Sequence, residues 1–147
     1  MTDDPRSPES VFDLRLGVIG APAHWIGPDG QAWSYEPYVR EMRIWADLFS
    51  HVEILGPAGE GPLSGNQAPY GRSHVAWSRV EYSEGLGVSG KLRRLRQLPA
   101  LNAAILRTIR RSDFLLLRSP THFSLFGAAW IRLLGRFHPP RPERVAG

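Results

Sequence analysis

Apolar and polar positions first alternate over residues 12 to 19. Phe12, Leu14 and Leu16 interleave with Asp13 and Arg15 before Val18 and Ile19 run into Gly20. Period-two alternation that ends in glycine predicts a strand entering a turn. A stretch rich in Gly, Pro and Asp follows to about residue 34 and reads as a loop. The period then changes. Tyr38, Met42, Trp45 and Phe49 recur at spacings of four, three and four, with Arg40, Glu41, Arg43 and Asp47 off the stripe. This is an amphipathic helix pattern. Pro37 suits the first turn, where a backbone N–H would be unpaired anyway. The helix is expected to end at His51, and VEIL, residues 52 to 55, to form a short second strand closed by Gly56 and Pro57.

Residues 57 to 73 are rich in glycine and proline and read as loop. Residues 74 to 83 alternate and predict a third strand. Leu98, Leu101, Ile105 and Ile109 mark one face of a helix over residues 97 to 111. Residues 113 to 118, DFLLLR, hold four consecutive apolar positions between polar ends, the pattern of a strand buried on both faces of a parallel sheet. SPTH is then a turn, and residues 123 to 137 a strongly apolar helix. Strands and helices thus alternate, which predicts an α/β fold: a three-layer, Rossmann-like domain over residues 11 to 137 with a mainly parallel sheet. Residues 1 to 10 read as a disordered leader and 138 to 147 as an irregular tail rich in Pro and Arg. Ligands of such sheets bind outside the carboxyl ends of the strands. Three segments qualify: the loop after Ile19, the loop after Leu55, and SPTH after Arg118.

Composition narrows the chemistry. A chain of 147 residues is about one domain long, and 42% hydrophobic content supports a packed core. With no cysteine there is no disulfide framework, thiolate metal site or cysteine nucleophile. No apolar run is long enough to span a bilayer, and a cytoplasmic location is the expectation. The net charge of +4 is modest but unevenly placed: seven basic residues and no acid lie between Gly85 and Ser112. Such a block suits a solvated helix face or an anionic partner, and a basic amphipathic helix over Lys91 to Arg111 suits an anionic membrane surface. No helix-turn-helix, RNA-recognition or zinc-finger pattern is present, so a nucleic-acid partner is not expected.

Several short motifs carry candidate chemistry. GLGVSGK, residues 85 to 91, matches two phosphate-loop patterns in part. Leu92 stands where a Mg²⁺-binding hydroxyl is required, and Asp113 opens the following strand instead of closing it. These departures favour a glycine-rich connector over a phosphate cradle. The loop after the first strand offers Gly20, His24, Asp29 and Gly30, with glycines that admit close approach of a ligand. SPTHFS, residues 119 to 124, offers Ser119, Thr121 and His122 at a helix start, a ready anion site, with Arg118 beside it. Thr121 also suits a plain cap, and His122 is a candidate base. The histidines show no metal-ligand spacing.

Two segments, DGQAWSYEPYVREMRIWADLFSHVEILGP and DFLLLRSPTHFSLFGAAWIRLLGR, resemble the N-terminal half of a GT-B glycosyltransferase of the large retaining family four. The likeness runs from about Phe12 to Arg136. It implies the acceptor-side Rossmann-like domain of a two-domain enzyme that moves a glycosyl group from a nucleotide sugar to a sugar or lipid-linked acceptor. No cofactor is implied for this chain; the nucleotide sugar is the full enzyme's donor. By that resemblance Gly20 and the Asp29–Gly30 turn border the donor phosphates. Arg118 and His122 begin the acceptor side, and Tyr35 and Tyr38 could line it. The sequence departs from the family in having no second, donor-binding domain and no further core strand. The chain alone is therefore expected to be inactive. Its expected partners are a donor-domain subunit, or a second copy meeting it through the incomplete sheet and last helix. The alternative is a non-catalytic binding module that pairs with a donor-domain subunit or an anionic membrane, at the membrane's inner face.

Overall fold

The computed structural model describes residues 11–81, 88–118 and 122–135; for 88–90, 94, 122 and 123 only the secondary structure is described. Along the chain run β1 (Phe12–Ile19), β2 (His24–Ile26), β3 (Ala32–Tyr35), α1 (Glu36–Leu48), β4 (Phe49–Pro57), β5 (Gln67–Pro69), β6 (Val75–Val80), α2 (Val88–Arg111), β7 (Phe114–Leu117) and α3 (His122–Leu134). Four strands form one parallel sheet in the order β6-β4-β1-β7. Leu16 pairs with Val52 and Phe114, and Ile19 with Leu55 and Leu117. The chain steps outward from β1 to β4 to β6, and α2 then carries it back to the far side of β1. This is a Rossmann-like α/β fold, and the direction of winding reverses between β1 and β7.

Strand pleating sends alternate residues to opposite faces. Leu16, Val18, Val52 and Ile54 are buried with Tyr38, Val39, Met42 and Ala46 of α1. Ile19, Leu55 and Val80 are buried with Leu101, Ile105 and Ile109 of α2, and Trp130 and Ile131 of α3 pack on them. Gly17 lets the end of α2 sit against β1. A Cβ there would lie 2.8 Å from Leu115 Cδ2 and 2.9 Å from Thr108 Cγ2, and closer still to Ser112 Oγ.

Several local expectations need correction. The stretch after β1 is not plain loop, and neither is the one after β4. They contribute β2, β3 and β5, which form a three-stranded antiparallel sheet. Its ladders join distant residues, such as Trp33 to Pro69, and no local window reveals such pairing. Phe49, last of the α1 stripe, is already extended (φ −109°, ψ 144°). Its ring meets Phe12 at 5.9 Å and Phe114 at 5.7 Å. Those contacts draw the chain into β4 directly, so His51 is a strand residue paired with Arg15, not a helix end. Helix α2 begins at Val88, not near residue 97, with Pro99 inside it. Proline removes one helix bond, and the turns on either side sustain the rest. Strand β7 is half-buried with Phe114 exposed, because it lies at the end of the sheet and not within it. The last residues of the glycine-rich turn, 88–90, are already helix; the leader, residues 85–87 of that turn, residues 119–121 and the tail lie outside the described residues.

Candidate functional site

Winding reverses between β1 and β7, and open α/β sheets bind ligands in the crevice position beyond the carboxyl ends of the strands at such a point. Gly20 turns the chain there at φ 92°, a backbone conformation that suits glycine. The Arg118 backbone N–H donates to the Ile19 carbonyl at 2.9 Å and ties the two strand ends together. The Arg118 guanidinium donates to Glu41 of α1 at 2.6 Å and lies 4.9 Å from the Tyr38 ring centroid. Its bond to Glu41 raises its pKa further above the usual arginine range. A cation held by a carboxylate on one side and an aromatic face on the other is positioned before any ligand arrives.

Beneath the crevice lies a cluster of rings. His24 is fully buried. The Pro22 carbonyl sits 2.8 Å from Nδ1 and can only accept, so Nδ1 carries the proton. Nε2 then accepts from the Tyr70 hydroxyl at 2.6 Å. The Trp77 ring lies nearly parallel to His24 at 5.3 Å, and Tyr38 meets it edge-on at 6.0 Å. Trp77 donates to the Gly56 carbonyl at 3.0 Å. Burial lowers the His24 pKa to about 4, so the imidazole is neutral near pH 7. Burial likewise pushes the Tyr38 and Tyr70 phenols above their ordinary value, and Tyr38 and Tyr70 perturb each other. The Tyr38 hydroxyl is buried without a hydrogen-bond partner of good geometry.

The structure brings some expected site residues together and separates others. Gly20 and Arg118 share the crevice. His24 supports it from below and offers no surface to a ligand. Asp29 and Gly30 lie in the β2–β3 turn. There the Asp29 carboxylate accepts from the Gln31 N–H at 3.1 Å and the Trp33 indole at 3.0 Å. Those bonds, the Trp33 one foremost, lower its pKa. Gly30 lines a cavity of about 610 Å³ with Ile26, Arg72 and the Tyr70 and Trp77 residues of the ring cluster, away from Gly20 and Arg118. Tyr35 is exposed at the N-cap of α1. Lys91 is exposed near the start of α2. Ser119 and Thr121 lie outside the described residues, as does the side chain of His122, which opens α3.

Glu41, Tyr70 and Trp77 are the site's unforeseen members. Glu41 was accessible to sequence reasoning, since it stands three residues beyond Tyr38 on α1 and shares its side of the helix. Tyr70 had no signal: it follows a short strand whose partners lie far away in the chain. Among the described residues no group of three or more His, Asp or Glu side chains could hold a metal ion. No helix of the described residues is long and apolar enough to cross a membrane. Compared with protein-family models, curated proteins and solved structures, the chain finds no match.

Proposed function

We propose that this chain is the acceptor-binding half of a glycosyltransferase. It would act with a donor-binding half that supplies the nucleotide sugar, on a sugar or lipid-linked acceptor. The observation that supports the reading is the Arg118–Glu41 pair set over Tyr38 at the reversal point of the sheet. An arginine offers several N–H donors in a fixed fork, and a carboxylate offers acceptors. A saccharide hydroxyl both donates and accepts, so the pair can hold adjacent hydroxyls in one orientation. Tyr35, exposed at the start of α1, adds an aromatic edge. In the full reaction an acceptor hydroxyl would form its bond to the anomeric carbon as the bond from that carbon to the nucleoside diphosphate breaks, the hydroxyl proton passing to the departing diphosphate. This half would fix the direction of that hydroxyl, and orientation alone lowers a barrier substantially. The proposed location is the cytoplasm, at the inner face of a membrane when the acceptor is lipid-linked.

Titration calorimetry of the purified chain against short oligosaccharides and against nucleoside diphosphates tests the reading. Saccharide binding is expected, weaker by about tenfold or more in Arg118→Ala, as for loss of a charged hydrogen bond. Nucleoside diphosphates binding more tightly than every saccharide, or an unchanged Arg118→Ala isotherm, would overturn it.

A further inference from the structure

We infer that the outer surface of α2 and α3 docks on an anionic lipid bilayer. The two helices lie side by side on one face of the sheet, where the Trp130 indole donates to Asn102 at 2.7 Å. Together they carry eight basic residues and no acid. At 100° per residue, Arg93, Arg96, Arg107, Arg110 and Arg111 all fall within about 60° of the direction opposite the buried Leu101, Ile105 and Ile109. All five are exposed. Among the described residues none of them is ion-paired to a carboxylate. Arg107, Arg110 and Arg111 line a shallow hollow of about 400 Å³ with Ala103 and Leu106, which suits a phosphate headgroup. The stripe runs along a 24-residue helix, about 36 Å long at 1.5 Å per residue.

Charge alone does not choose among anionic partners; the apolar residues beside it do. Leu92 and Leu95 of α2 are 54% and 65% exposed, and Leu125 and Leu133 of α3 are 68% and 75% exposed. Exposed leucines among arginines match an element lying in the bilayer interface, with apolar side chains inserted and cations at the headgroups. A single-stranded nucleic acid would call for exposed rings to stack its bases; α2 contains no aromatic residue, and Phe126 and Trp130 of α3 are packed on the core. This docking surface lies apart from the crevice, and the inference does not depend on the glycosyltransferase reading.

Co-sedimentation of the whole chain with vesicles tests it without any need for turnover. Binding is expected to phosphatidylcholine vesicles holding about a quarter phosphatidylglycerol, and to weaken as salt rises. Pure phosphatidylcholine should retain little. Arg93→Gln with Arg96→Gln, and separately Arg107→Gln with Arg110→Gln, should each lower partitioning by about fivefold per charge removed. Leu92→Ser with Leu95→Ser should lower it by about tenfold with the charges intact. Circular dichroism matching the parent confirms that each variant is folded. Equal binding to neutral and anionic vesicles, or no loss in either arginine pair, overturns the inference. So does tighter binding to duplex DNA than to anionic vesicles.

Discussion

On the α1 side of the sheet every charged residue of the helix has a partner. Glu36 accepts from Arg40, Glu41 from Arg118, and Asp47 from Arg72. Arg43 donates to the Pro69 and Tyr70 carbonyls at 2.8 and 3.1 Å. On the α2–α3 side neither helix contains a carboxylate, and among the described residues none of their arginines is ion-paired. The cores beneath differ in the same sense. The α1 side buries polar rings in a hydrogen-bonded cluster around His24, while the α2–α3 side buries mainly Ile, Leu and Val. Charge and polarity are woven into the packing on one side; on the other, charge is held outside an apolar core. Stability measurements should therefore separate the two sides.

The largest expected effect comes from His24. Its folded pKa of about 4 lies below the ordinary value of 6.5, so between those values the unfolded chain binds a proton that the folded chain refuses. Stability is complete above pH 6.5 and falls as pH drops toward 4, by about 3 kcal/mol in all. Urea unfolding across that window should show the decline in the parent and a flatter profile in His24→Gln. An equal slope in both would remove His24 as the cause. Next comes Gly17→Ala, which forces a methyl group against Thr108 and Leu115 on the α2 side. Overpacking there is expected to lower stability by about 1–3 kcal/mol. An unchanged midpoint would mean that α2 shifts freely on the sheet.

One pair of arginine variants tests the comparison most directly, and its second member has the smallest expected effect. Arg43→Gln, on the α1 side, should cost about 1–3 kcal/mol, because the partly buried Pro69 and Tyr70 carbonyls lose a charged donor. Arg96→Gln, on the outer face of α2, should change stability by less than about 0.5 kcal/mol. Equal losses from the two would show that the α2 charges serve the fold after all.

Much of this architecture was legible in the chain. Alternation over Phe12 to Leu16, the four-three-four stripe of α1 and the apolar run of β7 each report a local environment, and local period is what a sequence displays. The faces of α2 followed from the same logic, since Leu98, Leu101, Ile105 and Ile109 repeat with the helix. The small antiparallel sheet was not legible. Its strands are three or four residues long, too short to show a period. The exposed half of α2 was hidden as well, because Pro99 breaks the local signal while the helix continues through it.

The candidate site divides along the same line. Gly20 and Arg118 were visible because each stands where a strong strand pattern stops. His24 looked like a ligand contact by its loop position, but the tertiary structure buries it under Tyr38, Tyr70 and Trp77. The chain by itself determined the types of the longer elements, the parallel α/β class and an acid-free basic block, since period and charge are properties of neighbouring residues. Only the folded chain decided that Glu41 meets Arg118, that Tyr70 reaches His24, and that winding reverses between β1 and β7. Those outcomes depend on which distant segments pack together, and the contact energies that choose among packings arise only when the sheet has formed.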